Sequence, residues 1–174
     1  MEMFHVKRFE KTLTLKGFFV FFGILFFTAC FTPKHTVEIN DYILLENGKE
    51  VLGREKGLTA FFFENNPRKK PFKQFIIEKF DLGYTQDTEF NVDIEGQRYT
   101  VLLYTNDEVQ KYFDTTQFMS KNFETEANTI GSRANFIAVS VVTGANEDCL
   151  AEDSLHRNLV IDYLKKLKQE YYNS

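Results

Sequence analysis

The chain has 174 residues, 43% of them hydrophobic and 16% aromatic, with a formal net charge of −4. That much aromatic content excludes a disordered stalk, and mild acidity argues against nucleic acid as a partner, because phosphate binding asks for a basic surface. Two cysteines, Cys30 and Cys149, offer no disulfide framework, so stability has to come from packing.

The first element in chain order is an apolar run, Gly17 to Phe27, inside the string KGFFVFFGILFFTACF. Eleven residues are short for a membrane span, which needs about 20, and fit a signal-peptide core of roughly 7–15. Lys7, Arg8, Lys11 and Lys16 precede it, diluted by Glu2 and Glu10. A positive flank keeps that end in the cytoplasm. No polar face exists at any period, which argues against a core helix.

Phe27-Thr28-Ala29-Cys30 closes the run. A bulky apolar residue, two small ones and a cysteine resemble the lipobox of bacterial lipoproteins, and the resemblance covers only the first thirty residues. It implies that the Cys30 sulfur carries a diacylglycerol and that cleavage falls between Ala29 and Cys30. Phe27 stands where leucine is usual. An uncleaved anchor with Cys30 as a bystander is the competing reading. Acyl chains contribute about 0.8 kcal/mol per buried methylene, and stable anchoring takes more than one chain.

This divides the chain into a signal peptide, residues 1–29, a lipidated tether, residues 30–36, and one domain, residues 37–174. The leader holds four basic and two acidic residues, so the mature chain carries about −6 against −4 for the whole. Cys149 is then left without an intramolecular partner in an oxidising compartment.

Within the domain, TVEINDYILL (Thr36–Leu45) reads as a first strand and ENGKEVLGREKG as turns. LTAFFFE (Leu58–Glu64) is a continuous apolar run and reads as a buried strand. Phe72, Phe75, Ile76 and Phe80 recur at helical spacing, so a helix is expected over about 71–81, entered at Pro71 and ended near Gly83. Residues 88–94 and 97–105 alternate and flank Glu95-Gly96, a hairpin signature. Asn106–Phe113 begins a second helix, with Asn106 as its capping residue and acids in its first turn. Residues 115–135 read as a long loop and Asn135–Thr143 as a strand. Leu155–Tyr172 is a final helix with a stripe of Leu155, Leu159, Tyr163, Leu167 and Tyr171, capped by Asp153 or Ser154, with Lys165, Lys166 and Lys168 complementing its C-terminal dipole. The expected fold is α+β: an antiparallel sheet with helices on one face, in ferredoxin-like βαββαβ order plus a C-terminal helix.

The most suggestive chemical patch is NEDCLAED, with Glu147, Asp148, Glu152 and Asp153 around Cys149. Hard cations want several carboxylate oxygens, which makes these four a candidate metal set. The plainer reading is that acids ahead of a helix complement its positive end. Cys149 as a nucleophile is disfavoured, because flanking carboxylates raise a thiol pKa. His5, His35 and His156 do not fall at ligand spacing, so no catalytic set and no cofactor are assigned. PRKKPFK places Arg68, Lys69, Lys70 and Lys73 ahead of a helix, where basic residues oppose the dipole. The expectation is a lipid-anchored envelope protein facing the periplasm, bound to the membrane at Cys30, with an envelope protein as partner. The alternatives are a periplasmic enzyme with an acidic site near 147–153 and an immunity or inhibitor protein.

Overall fold

The structure, a computed structural model, describes residues 37–53, 55–83, 88–119 and 136–174. Cys30 and the Ala29–Cys30 cleavage position lie outside the described residues. So does most of the expected 115–135 loop.

The fold is α+β. A five-stranded antiparallel sheet contains β2 (Ile43–Leu45), β3 (Ala60–Glu64), β4 (Glu89–Ile94), β5 (Gln97–Leu103) and β7 (Phe136–Thr143), in the spatial order β2-β3-β7-β5-β4. Among the described residues three helices accompany it: α1 (Phe72–Phe80), α2 (Asn106–Tyr112) and α3 (Arg157–Asn173). Two further short strands, β1 (Val37–Glu38) and β6 (Phe118–Met119), pair in parallel outside the sheet. From β3 to α3 the elements follow one another in the expected chain order, with β6 inserted before β7. The sheet places β7 between β3 and β5, whereas a split βαβ would set β3 directly against β5.

Strand burial explains this arrangement. Every residue of β3 and β7 is buried, as continuous apolar runs demand of central strands. The outer strand β4 alternates exposed and buried residues along its length. Its partner β5 returns through Glu95-Gly96, where φ is 50° and 82°. Positive φ at both central residues is the type I′ geometry that matches strand twist.

The helices do not share one face. Phe61, Phe63, Val139 and Val141 point toward α1 and α3 and meet Phe75, Ile76, Val160 and Leu164. Their alternates Phe62, Ala138 and Phe136 point the other way, where Val109 of α2 and Phe113 cover them. The expectation of helices on one face fails because a strand apolar at every position presents two surfaces to cover. Phe61, Phe62 and Phe63, all at 0–1% exposure, each contribute about 1.5–3 kcal/mol of burial.

Other boundaries move for local reasons. The expected first strand breaks at Asn40-Asp41, which turn the chain between β1 and β2 and leave Ile39 buried. The cap of α2 is Thr105, one residue earlier than expected. Its hydroxyl accepts the Glu108 amide, and the Glu108 carboxylate accepts the Thr105 amide at 2.7 Å, which completes a capping box. α3 begins at Arg157, so Leu155 precedes it and is 98% exposed. The buried stripe is Val160, Leu164, Leu167 and Tyr171, and Ser154 accepts the His156 amide without capping the helix. Lys168 is buried on that helix and paired with Asp41, so it does not serve the dipole.

Candidate functional site

The acidic patch resolves into structural roles. After β7 the chain doubles back along its own end: Thr143 donates its amide to Glu147 O, and Cys149 donates to Val141 O at 2.9 Å. A strand-like return alternates its side chains. Asp148 points inward, and its carboxylate accepts the Thr59 amide at 2.7 Å and the Leu150 amide at 2.9 Å. Glu147, Glu152 and Asp153 are exposed. The four acids therefore do not converge, and among the described residues no group of three or more His, Cys, Asp or Glu is placed to hold a metal. Cys149 is fully buried, and burial first, then Asp148 and Glu147, push its thiol up to about 12. Such a thiol is not a nucleophile at neutral pH. His156 Nδ1 lies 3.0 Å from the buried Tyr99 hydroxyl.

A cavity of about 380 Å³ opens at the end of the sheet where β3 and β5 finish and β7 starts. Its apolar wall is Phe72, Leu103, Tyr104, Phe136 and Ile137, all buried. Polar groups come from Asn65, Thr88, Thr105 and Asn106, and the charges on the lining are Lys69 and Lys73. The size falls in the usual range for small-molecule sites, which are mostly apolar with a few polar groups.

Residues 65–71 connect β3 to α1 and carry most of the basic run. The structure shows what holds this connector as a wall. The Tyr171 hydroxyl, near the end of α3, donates to Asn65 Oδ1 at 2.8 Å and approaches Lys70 O at 3.1 Å. Lys69 Nζ donates to the Ser174 carbonyl at 2.7 Å, and Lys70 pairs with Glu78. The basic run thus has a local account at two of its positions: Lys69 complements the negative end of α3, and Lys70 is neutralised along α1. Lys73 stands in the first turn of α1.

Behind Tyr104 lies a buried polar chain with one possible direction. The Lys49 amide donates to the Tyr104 oxygen at 2.8 Å. Ser140 Oγ must donate to the Thr59 carbonyl at 2.8 Å, which uses its one proton. Tyr104 therefore donates to Ser140 at 2.9 Å. Lys49 itself is buried, with its ammonium on Leu103 O at 3.1 Å and on Glu108 at 3.0 Å. Gly48 leaves room for this approach: a Cβ there would stand 2.2 Å from the Tyr104 oxygen.

No protein-family model, no curated protein and no solved structure matches the chain.

Proposed function

We propose that the chain is a lipid-anchored protein of the bacterial envelope, facing the periplasm, whose folded unit is a non-catalytic binding or assembly module. The observation that carries the address is the string Phe27-Thr28-Ala29-Cys30 at the end of a short apolar run with a basic flank. The binding role is supported by a cavity of about 380 Å³ walled by buried aromatic and aliphatic side chains at one end of the sheet.

Incorporation of labelled palmitate tests the anchor. Label in the natural chain and none in Cys30→Ala supports it. An unmodified Cys30 with Met1 still attached, seen by mass spectrometry, removes the lipoprotein reading. Capture of partners from detergent-solubilised membranes tests the module.

One observation favours the inhibitor reading as second. Among the described residues β4 is the edge strand; it exposes Glu89 and Asp93, and the turn after it exposes Glu95, an acidic rim that Arg98, opposite Asp93, offsets in part. Such a rim would steer a basic target, and the complex would weaken steeply with salt.

A further inference from the structure

The sheet edge at β4 carries a pattern as well as a charge. The Leu103 amide donates to the Thr88 carbonyl at 2.7 Å, so Thr88 bonds inward to β5. Antiparallel ladders alternate, and Phe90, Val92 and Ile94, opposite Val101, Tyr99 and Gln97, bond inward in turn. Glu89, Asn91 and Asp93 therefore aim their amides and carbonyls out of the sheet, and among the described residues no strand pairs with them. Their side chains lie on the exposed face of β4, while Phe90, Val92 and Ile94 are buried on the other. On that second face the half-buried ring of Phe80 lies 5.2 Å from that of Phe90. Resting on the reading of the domain as a binding module, we propose that β4 is extended by an antiparallel strand of a partner protein. The strand carries lysine or arginine at alternate positions, with apolar residues between them. In such an addition main-chain bonds supply affinity and alternate side chains supply specificity. A partner residue bonded to Glu89, Asn91 or Asp93 stands directly opposite it and shares its face, so the acids meet every second side chain. Arg98 offsets Asp93 in part, and Glu89 and Glu95 keep the rim acidic. The intervening apolar residues fall on the side of Phe80. A second copy of the chain fits poorly. Two-fold pairing centred on Asn91 would set Glu89 against Asp93 of the second copy, and like charges directly opposite destabilise.

The test uses the full chain in nanodiscs of phosphatidylcholine, titrated with the end-blocked heptapeptide Lys-Val-Lys-Val-Lys-Val-Lys and read by NMR at the β4 amides. Saturable shifts and slowed exchange are expected at Glu89, Asn91 and Asp93, whereas Phe90 and Val92 exchange slowly from the start. The same peptide with glutamate for lysine should bind at least about tenfold more weakly. Glu89→Lys should weaken the lysine peptide about fivefold or more at an unchanged melting temperature. N-methylation separates an added strand from a contact of charges. Methyls on the lysine amides, which face β4, should abolish binding, and methyls on the valine amides, which face away, should leave it within about threefold. Equal effects of the two methylations overturn the added strand. Lysine and glutamate peptides binding alike overturn the basic partner. Dimers of the chain that Asn91→Pro disperses assign the edge to a second copy and overturn the proposal. Absence of any saturable shift overturns it too, while partner capture and palmitate labelling judge the module independently.

Discussion

Replacing Tyr104 by Phe removes one oxygen from the centre of the buried polar chain and leaves the ring packing in place. The Lys49 amide loses its acceptor at 2.8 Å, and Lys49 is only 9% exposed. An orphaned buried donor costs about 1–3 kcal/mol. Ser140 keeps its bond to the Thr59 carbonyl, so the damage is confined to one amide. A loss of about 2 kcal/mol is expected, a fall of roughly 5 °C in melting temperature for a domain of this size. Ser140→Ala alone strips the Thr59 carbonyl of its donor and leaves the Tyr104 hydroxyl without an acceptor, for about 1–2 kcal/mol. Combining the two removes the stranded hydroxyl, so the double variant should lose about 1 kcal/mol less than the sum of the singles. Urea denaturation followed by far-ultraviolet circular dichroism measures all four corners, since the chain has no tryptophan and the substitution removes a tyrosine signal. A Tyr104→Phe loss below about 0.5 kcal/mol, or strictly additive singles, would refute the directed chain.

Gly48→Ala should be more damaging, because the added methyl meets the Tyr104 oxygen at 2.2 Å and the Leu58 carbonyl at 2.8 Å, neither of which can yield; a loss above about 3 kcal/mol or failure to fold is expected in a thermal melt. Glu95→Asn should stabilise the hairpin by about 0.5–1 kcal/mol, because φ is 50° there and Asn tolerates the left-handed region. Cys149 should resist a disulfide reagent in the native protein and react only on unfolding. Its thiol is raised from about 9 to about 12, so the native state holds a proton that the unfolded chain releases. Stability is therefore full below about pH 9 and falls as pH rises toward 12, and Cys149→Ala should flatten that slope in alkaline denaturation curves. Tyr163 and Tyr172, both pushed up to about 12 by burial, steepen the same limb above about pH 10.

Strands and the hairpin were legible because their signal is local. Phe90, Val92 and Ile94 alternate, and the Glu95-Gly96 turn closes the pair with the register that alternation requires. The final helix was legible over its stripe but not at its start. Leu155 fits the period by sequence, and only the fold shows that the chain is still turning at that point. The acidic patch misled because sequence counts carboxylates without their directions. Asp148 turns inward to two backbone amides while its neighbours face water. The cavity was illegible because its walls come from residues 65–73, 88, 103–106 and 136–137, four stretches that meet only once β3, β5 and β7 pair. Even the FFF of β3 held the information that both sheet faces are covered, since alternate Phe side chains cannot share one side.

The bonds from Tyr171 and Lys69 join the last turn of α3 to the connector that walls the cavity. Fraying of that turn and loosening of the wall are then one event, and linkage makes the coupling reciprocal. Whatever fills the cavity should slow amide exchange at residues 170–173, and anything fused behind Ser174 would be felt as a change in affinity at the opposite side of the connector.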